Sequence, residues 1–176
     1  LAWKISICCK KGYNENLLNS YQSERFSNVR DYINTAMKMG ELLNSIGGSE
    51  VSDTVFVQPD GTIKMNTIKP QLGKGLGECE DINRGKIFPS FKSDFGRDID
   101  NIFACDPILI TNKKINKKEL RIKSYDCSDI PGMEVILKKF KTNTLIIRPD
   151  RFILASTQKN DLLKFTNTCL NQIYSL

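Results

Sequence analysis

One long amphipathic segment limits the fold more than any other feature of this sequence. Residues 15–46 contain no proline, and Gly47 and Gly48 end the segment. Its apolar stripe recurs mostly at steps of three and four residues and comprises Leu18, Tyr21, Phe26, Val29, Ile33, Met37, Gly40 and Leu43. A helix of this length with one apolar face must pack on something large, and the residues that follow offer little to pack on. We therefore expect the chain to belong to a longer protein.

The segments on either side of this helix differ in composition. Residues 1–9 predict a first helix, with a break at residues 10–14. Residues 49–100 are rich in Gly, Pro, Asp and Lys, which predicts a long surface connection with short strand-like patches at Thr54–Val57 and Lys86–Pro89. An α/β pattern begins near residue 101.

The last third of the chain alternates short strands and helices. The predicted strands are Ile102–Ile110, Leu120–Tyr125, Thr144–Ile147 and Arg151–Ala155, and the predicted helices are Pro131–Phe140 and Asn160–Tyr174, with Asn160 as N-cap. We expect the last two strands to pair through the turn at Pro149-Asp150. The predicted core consists of Ile108, Ile122, Leu137, Leu145, Ile147, Ile153, Phe165 and Ile173.

Composition excludes several classes of chemistry. The chain has no histidine, so Ser-His-Asp and Cys-His mechanisms and imidazole metal sites are absent. Its six cysteines form no C-x-x-C pair and no metal-ligand spacing, which favours reduced thiols. The net charge of +6 comes mostly from dispersed lysines, which is typical of a solvated surface rather than a nucleic-acid interface. The opening apolar run is too short to span a bilayer, so we expect a soluble, cytoplasmic protein without a membrane partner.

Three short motifs, in order, carry a family resemblance. The first is Leu1-Ala2-Trp3-Lys4-Ile5, the second is Leu17 to Arg25 (LLNSYQSER), and the third is Leu145 to Ile153 (LIIRPDRFI). Together they resemble the C-terminal half of FAD-dependent aromatic-ring hydroxylases, most closely the phenol hydroxylase and 3-(3-hydroxyphenyl)propionate hydroxylase group. Lys69-Pro70 and Gly85 to Pro89 are similar to the Pro/Gly-rich connection and the Gly-x-x-Phe-Pro strand of that family.

The sequence departs from the family pattern in three places. Arg151 stands where the family hairpin has glycine, and Phe26-Ser27 stand where Arg-Pro is common. The glycine-rich dinucleotide turn, G-x-G-x-x-G after a strand, does not occur. Gly73 to Gly77 is rich in glycine but follows Pro70 in a predicted loop, so we give it little weight as a phosphate cradle.

The resemblance implies an α+β fold in three parts. Residues 1–48 are the helical C-terminal end of an FAD-binding domain, residues 49–84 an irregular connection, and residues 85–176 a thioredoxin-like C-terminal domain. The full-length protein is then a monooxygenase that uses FAD and NAD(P)H to hydroxylate a phenolic substrate, and it forms a homodimer through the C-terminal domain. This chain alone is expected to be inactive.

The resemblance assigns only supporting roles to residues of this chain. Leu1 and Ala2 lie at the edge of the FAD site, and no residue is assigned as catalytic or as a metal ligand. Tyr21, Glu24 and Arg25 are adjacent at helical spacing, and we expect them to form an ion pair or a cap that anchors the long helix. Glu24 and Arg25 could instead reach different partners in the missing domain. Trp3 is interpreted as a core residue. Arg148 and Asp150 flank a proline turn, where Asp commonly accepts backbone amides.

Two interpretations stay open at this point. The alternative to a flavoprotein fragment is a freestanding thioredoxin-like dimerisation or interaction module without redox activity, because neither Cys105 nor Cys127 has a second cysteine nearby. If the stripe normally lies against an FAD domain, the helical arm is loose or self-associating here. Slow hydrogen exchange is then confined to the C-terminal half.

Overall fold

The computed structural model describes residues 1–44, 55–57, 63–65, 71–77, 80–90 and 106–174. The side chains described in the long helix end at Glu41. The helices are α1 Ala2–Lys11, α2 Glu15–Asn44, α3 Met133–Lys139 and α4 Leu162–Ile173, and the strands are β1 Val55–Val57, β2 Ile63–Met65, β3 Ile108–Thr111, β4 Lys123–Asp126, β5 Thr144–Ile147 and β6 Ile153–Thr157. The described part of the chain is therefore a mixed α+β fold. No helix in these ranges is long and apolar enough to cross a membrane.

A glycine and two polar capping residues set three of the helix boundaries. α1 continues two residues beyond the predicted end at Cys9 and stops at Gly12, whose φ of 102° suits glycine. The Asn14 side chain accepts the amide of Leu17 at 3.0 Å, so it caps the start of α2. The prediction that Asn160 caps α4 is wrong by one residue. Asp161 accepts the Lys164 amide at 2.9 Å instead, and Asn160 accepts a hydrogen bond from the Lys113 ammonium group.

A four-stranded mixed sheet forms the centre of the fold. Its order is β4-β3-β5-β6, with β3 parallel to β4 and the other two pairs antiparallel. The predicted strand Thr144–Ile147 and its pairing with the next strand are confirmed. The other three strands begin later than predicted. β6 begins at Ile153 because Arg151 lies in the turn, and residues 101–105 of the first predicted strand lie outside the described residues.

The two faces of this sheet bury separate cores. Ile108, Ile110, Leu145 and Ile147 alternate with Leu109 and Ile146 along the two central strands and pack towards α3. Leu109 and Ile146 belong to the opposite core, which also contains side chains of α1, α2 and α4: Trp3, Ile7, Leu17, Cys169, Leu170 and Ile173. The first helix and the start of the second therefore share a core with the sheet. The predicted boundaries at residues 48 and 84 remain predictions.

Residues 71–90 pack more closely than a surface connection would. Leu72, Leu76 and Phe88 are buried, which contradicts the surface prediction for this part. The predicted strand-like patch Lys86–Pro89 forms two isolated bridges, from Lys86 to Gln71 and from Ile87 to Phe152, instead of a strand. The strand-like patch predicted at Thr54–Val57 is confirmed at Val55–Val57, which form β1 and pair antiparallel with β2.

The long helix buries the face opposite its predicted apolar stripe. Leu17, Glu24 and Asn28 are buried, whereas Phe26 and Ile33 are more than half exposed. From Val29 to Glu41 every described side chain is exposed or half-buried. The stripe is thus partly uncovered by the described chain, as expected for an arm that normally contacts something else; Leu18 is half-buried, and the side chain of Leu43 lies outside the described residues.

The turn between β5 and β6 holds Arg151 in a strained backbone conformation. Arg151 has a φ of 67°, in the left-handed region where side chains with a Cβ cost about 1 kcal/mol. We expect Arg151→Gly to be more stable than Arg151→Ala by about 1 kcal/mol, because both lose the arginine side chain and only glycine relieves the strain. Urea denaturation of the two variants measures this difference. Equal stabilities would contradict it.

Candidate functional site

The N-terminus of α1 carries the two residues that the resemblance assigns to the cofactor edge. Leu1 and Ala2 are exposed. The Leu1 carbonyl accepts the amides of Lys4 at 2.9 Å and Ile5 at 3.1 Å, so the first helical turn is well formed. The earliest amides of a helix have no intrahelical partner. An exposed apolar side chain beside such amides offers no catalytic group, and the placement of Leu1 and Ala2 at the edge of a cofactor site remains a prediction.

A buried cluster of charges lies directly beneath this turn. The Lys4 ammonium group donates to Glu24 Oε2 at 2.8 Å and to Ser20 Oγ at 2.5 Å. Arg148 Nη1 donates to Glu24 Oε1 at 2.8 Å. Lys4, Glu24 and Arg148 are each at most 4% exposed in these pairs. One carboxylate therefore joins α1 and α2 to the end of β5.

Asp150 completes the cluster on the side of the β5–β6 turn. Its carboxylate accepts Arg148 Nε at 3.0 Å and Arg148 Nη2 at 2.7 Å, a two-point contact that fixes the guanidinium plane. It also accepts the Trp3 indole N–H at 2.8 Å. The Arg148 guanidinium lies 5.0 Å from the centre of the Trp3 ring. Asp150 therefore binds side chains, rather than the backbone amides expected from its turn position.

The four charged groups balance, which makes their burial tolerable. Two cations, Lys4 and Arg148, face two anions, Glu24 and Asp150. Burial lowers the pKa of Lys4 below its ordinary value, and the hydrogen bond that Lys4 donates to Glu24 opposes that shift. Glu24 thus supports the charged state of Lys4 as well as its position.

The glycine-rich segment near residue 75 packs against this cluster. The Leu76 amide donates to Glu24 Oε1 at 3.0 Å, and the Gly73 amide donates to the Glu24 carbonyl at 2.8 Å. A Cβ at Gly75 would lie 2.7 Å from Glu24 Oε1, so only glycine allows this approach. The glycines therefore serve close packing on α2, which agrees with the low weight given to a phosphate cradle.

The three sequence motifs meet in this one cluster. Trp3 and Lys4 come from the first motif, Glu24 from the second, and Arg148 and Asp150 from the third. The expected anchoring ion pair at Glu24 is found, but its partners are Lys4 and Arg148 rather than the neighbouring Arg25. The expected core position of Trp3 is confirmed. Lys4 was not predicted to take part, although a lysine between the apolar residues Trp3 and Ile7 on the buried face of α1 is a signal for it.

Other types of site are missing from the described ranges. No group of His, Cys, Asp and Glu that could hold a metal ion occurs in them. Cys8, Cys9 and Cys127 are free thiols there. A groove of about 620 Å³ lies between residues 80–83, the end of β6 and α4, and charges of both signs line it. It has no lining residue in common with the buried cluster.

Cys127 is predicted to be an unreactive thiol. Its sulfur donates to the Thr111 carbonyl at 3.5 Å, and burial, with Glu134 and Asp126 nearby, raises its pKa from 9.0 to about 11. A shift of two units lowers the thiolate fraction about 100-fold at pH 8, so we expect iodoacetamide to modify exposed Cys9 much faster than Cys127. Peptide mass spectrometry over a time course measures both rates. Equal rates in the folded chain would contradict the prediction.

The raised pKa of Cys127 also couples to stability. A thiol that stays protonated in the fold contributes stability below pH 9.0, and that contribution is lost as the pH rises to about 11.

Comparison with known proteins identifies a shared fold. No protein-family profile and no curated protein sequence matches the chain. Among solved structures, it is similar to aklavinone-11 hydroxylase in a ternary complex with FAD and aklavinone, with a TM-score of 0.59 and 12% sequence identity. The match covers all of this chain and 38% of that chain. At this identity the likeness establishes the fold, and this chain spans well under half of the hydroxylase.

Proposed function

We propose that this chain is the C-terminal portion of an FAD-dependent monooxygenase that uses NAD(P)H and hydroxylates a phenolic ring, of the phenol hydroxylase or 3-(3-hydroxyphenyl)propionate hydroxylase type. The observation that carries the proposal is the convergence of the three motifs in one buried cluster. Residues far apart in sequence that match one family in order and also bond to one another are hard to attribute to chance. The fold shared with a hydroxylase bound to FAD and aklavinone supports the same proposal.

In this proposal the chain supports the chemistry without performing it. FAD, when bound, supplies the oxygen-activating chemistry, and residues outside this chain make most contacts to it. Leu1 and Ala2 line one edge of the flavin. The cluster of Lys4, Glu24 and Arg148 fixes the first turn of α1, so these two residues keep their position relative to the sheet.

The strand arrangement supports a thioredoxin-like C-terminal domain. A parallel pair, β3 and β4, is followed by antiparallel β5 and β6, with α3 on one face and α4 on the other. We propose a structural rather than a redox role for this domain, because neither Cys105 nor Cys127 has a second cysteine nearby in sequence.

Two observations test the proposal. The gene upstream of the codon for Leu1 should continue in frame into a strand followed by G-x-G-x-x-G. The isolated chain, mixed with FAD, NADPH and simple phenols, should give neither flavin reduction nor hydroxylated product. A start codon immediately upstream would refute the fragment proposal, and tight stoichiometric FAD binding by the isolated chain would refute its inactivity.

A second candidate function is a freestanding interaction module. The uncovered apolar face of α2 favours it, because such faces mark protein contacts. The upstream gene sequence distinguishes it from the flavoprotein fragment.

A further inference from the structure

Lysines that are dispersed in the sequence gather at one end of the sheet. Segment 112–118 follows β3, segment 138–143 joins α3 to β5, and segment 158–164 joins β6 to α4. Together these three segments, the basic end, hold nine lysines and one acidic residue, Asp161. Hydrogen bonds hold them side by side, because Lys113 Nζ donates to the Lys159 carbonyl at 2.9 Å and the Gln158 side-chain amide donates to the Lys141 carbonyl at 2.9 Å. The fold therefore concentrates positive charge at this end.

Few of these positive charges are neutralised within the chain. In the described ranges, Lys117 alone among the nine lysines has a carboxylate within 4 Å, that of Asp129 at 2.6 Å. Lys141, Lys159 and Lys164 are exposed and form no ion pair there. A surface with such an excess attracts anionic groups over a screening length of about 8 Å at physiological ionic strength. The basic end is thus suited to a partner with several negative charges.

The groove of about 620 Å³ beside α4, the α4 groove, opens at this basic end. Lys141, Lys159 and Lys164 are among its lining residues. Its apolar surface includes half-buried Phe165 and the Ile82 side chain, which is 70% exposed. The lining residues of α4 run from position 161 to position 172, a length of about 16 Å at 1.5 Å per residue. An extended peptide of about five residues covers this length.

Two of the three acidic residues that line the α4 groove bond to the protein itself. Asp81 Oδ1 accepts the Ser156 hydroxyl at 2.6 Å, and Asp161 accepts the Lys164 amide at 2.9 Å. The third, Glu80, forms no hydrogen bond in the described ranges, so the lining is balanced in formal charge. The positive excess comes from the other lysines of the basic end. An occupant therefore gains most by placing an apolar group in the groove and its carboxylates over the lysines around it.

The composition of the basic end favours an acidic peptide over a nucleic acid. None of its nine cations is arginine, the side chain that reads base edges by two-point contacts. Its one aromatic residue, Phe140, is half-buried, so it offers no open ring on which a base could stack. A peptide supplies both carboxylates for the lysines and an apolar side chain for the groove.

We propose that the α4 groove and the basic end bind an acidic segment of another protein, with one apolar side chain of that segment in the groove. This interaction surface goes beyond the proposed flavoprotein function and does not rest on it. It is also separate from the outer face of α2, with which the groove shares no lining residue.

Fluorescence anisotropy of a labelled, end-capped DEDFEDE peptide titrated with the full chain tests the surface. We expect saturable binding, and we expect the triple variant Lys141→Gln, Lys159→Gln, Lys164→Gln to weaken it about 10-fold or more through lost charge pairs. The matched control is the triple variant Lys10→Gln, Lys11→Gln, Lys38→Gln, which removes the same charge from exposed positions of α1 and α2. The control should weaken binding less than about 3-fold. No binding at about 1 mM chain, or equal effects of the two triple variants, overturns the proposal.

Changes in the probe separate the contribution of the groove from that of the charge. The peptide DEDAEDE keeps all six carboxylates and should bind at least about 5-fold more weakly, because it has no large apolar side chain to bury. The neutral peptide NQNFQNQ should show no binding over the same concentration range. A single-stranded oligonucleotide with six phosphates carries the same charge and should also bind more weakly than DEDFEDE. Equal binding of DEDAEDE, or of the oligonucleotide, would mean that the surface attracts any polyanion and overturns the proposal.

Discussion

Glu24→Gln should destabilise the chain by about 3–5 kcal/mol, since the variant leaves Lys4 buried beside a neutral amide. Glu24 is the anion that Lys4 and Arg148 share, and removing one partner of a buried pair costs far more than the pair contributes. A domain of this kind has about 5–15 kcal/mol of total stability, so the loss is a large fraction. Chemical denaturation followed by circular dichroism measures it.

Two further variants isolate the cause. Glu41→Gln removes the same charge from an exposed position of the same helix and should change stability by less than about 0.5 kcal/mol. Glu24→Gln combined with Lys4→Met removes both members of the buried pair, and we expect it to recover much of the loss. A Glu24→Gln chain within 1 kcal/mol of wild type would show that the cluster does not hold the fold together.

Amide exchange should divide α2 into two halves. In the monomeric chain at low concentration, residues 17–28 should exchange as slowly as β3 and β5, because Leu17 shares the core of the sheet. Residues 29–41 have no fully buried side chain and resemble an isolated helix, which is marginal in water. Global opening at about 5 kcal/mol or more implies protection above roughly 1,000-fold, against less than about 10-fold for the arm.

The expected pattern differs from that anticipated from sequence alone, which confined slow exchange to the C-terminal half. The amides of β3 and β5, measured in the same experiment, are the internal control for slow exchange. Equal protection along all of α2 in a monomer would mean that the arm has found a partner within the chain.

The sequence predicted local elements well where one signal dominated. The continuous apolar run Thr144–Ile147, followed by Pro149-Asp150, specified a buried strand and a reversal, and the strand is found at those residues. The breaks around Gly12 and Asn14 likewise specified the boundary between the first two helices. Boundaries failed where two capping residues adjoin, as at Asn160 and Asp161.

The way these elements pack against one another was harder to predict. Periodicity identified the apolar stripe of α2. The pattern within a single helix does not show which face of that helix packs against the rest of the same chain. The charge cluster joins positions separated by 20 and 124 residues, and no local rule pairs Lys4 with Glu24 or Glu24 with Arg148. The family resemblance grouped the three motifs, but it did not indicate that their side chains contact one another.

The hydrogen bonds between early and late residues of the chain also limit when folding can be completed during synthesis. The Trp3 indole cannot form its hydrogen bond until Asp150 has been synthesised. The Asn14 side-chain amide donates to the carbonyl of Ile173, which is synthesised 159 positions later. At about 5–20 residues per second, a ribosome needs roughly 10–30 s to deliver these late partners. Until then the inner face of α2 presents Glu24 without Arg148, and its outer face presents bare apolar side chains. The nascent α1–α2 hairpin is therefore a natural client for chaperones, and folding of this chain is completed only after the last helix emerges.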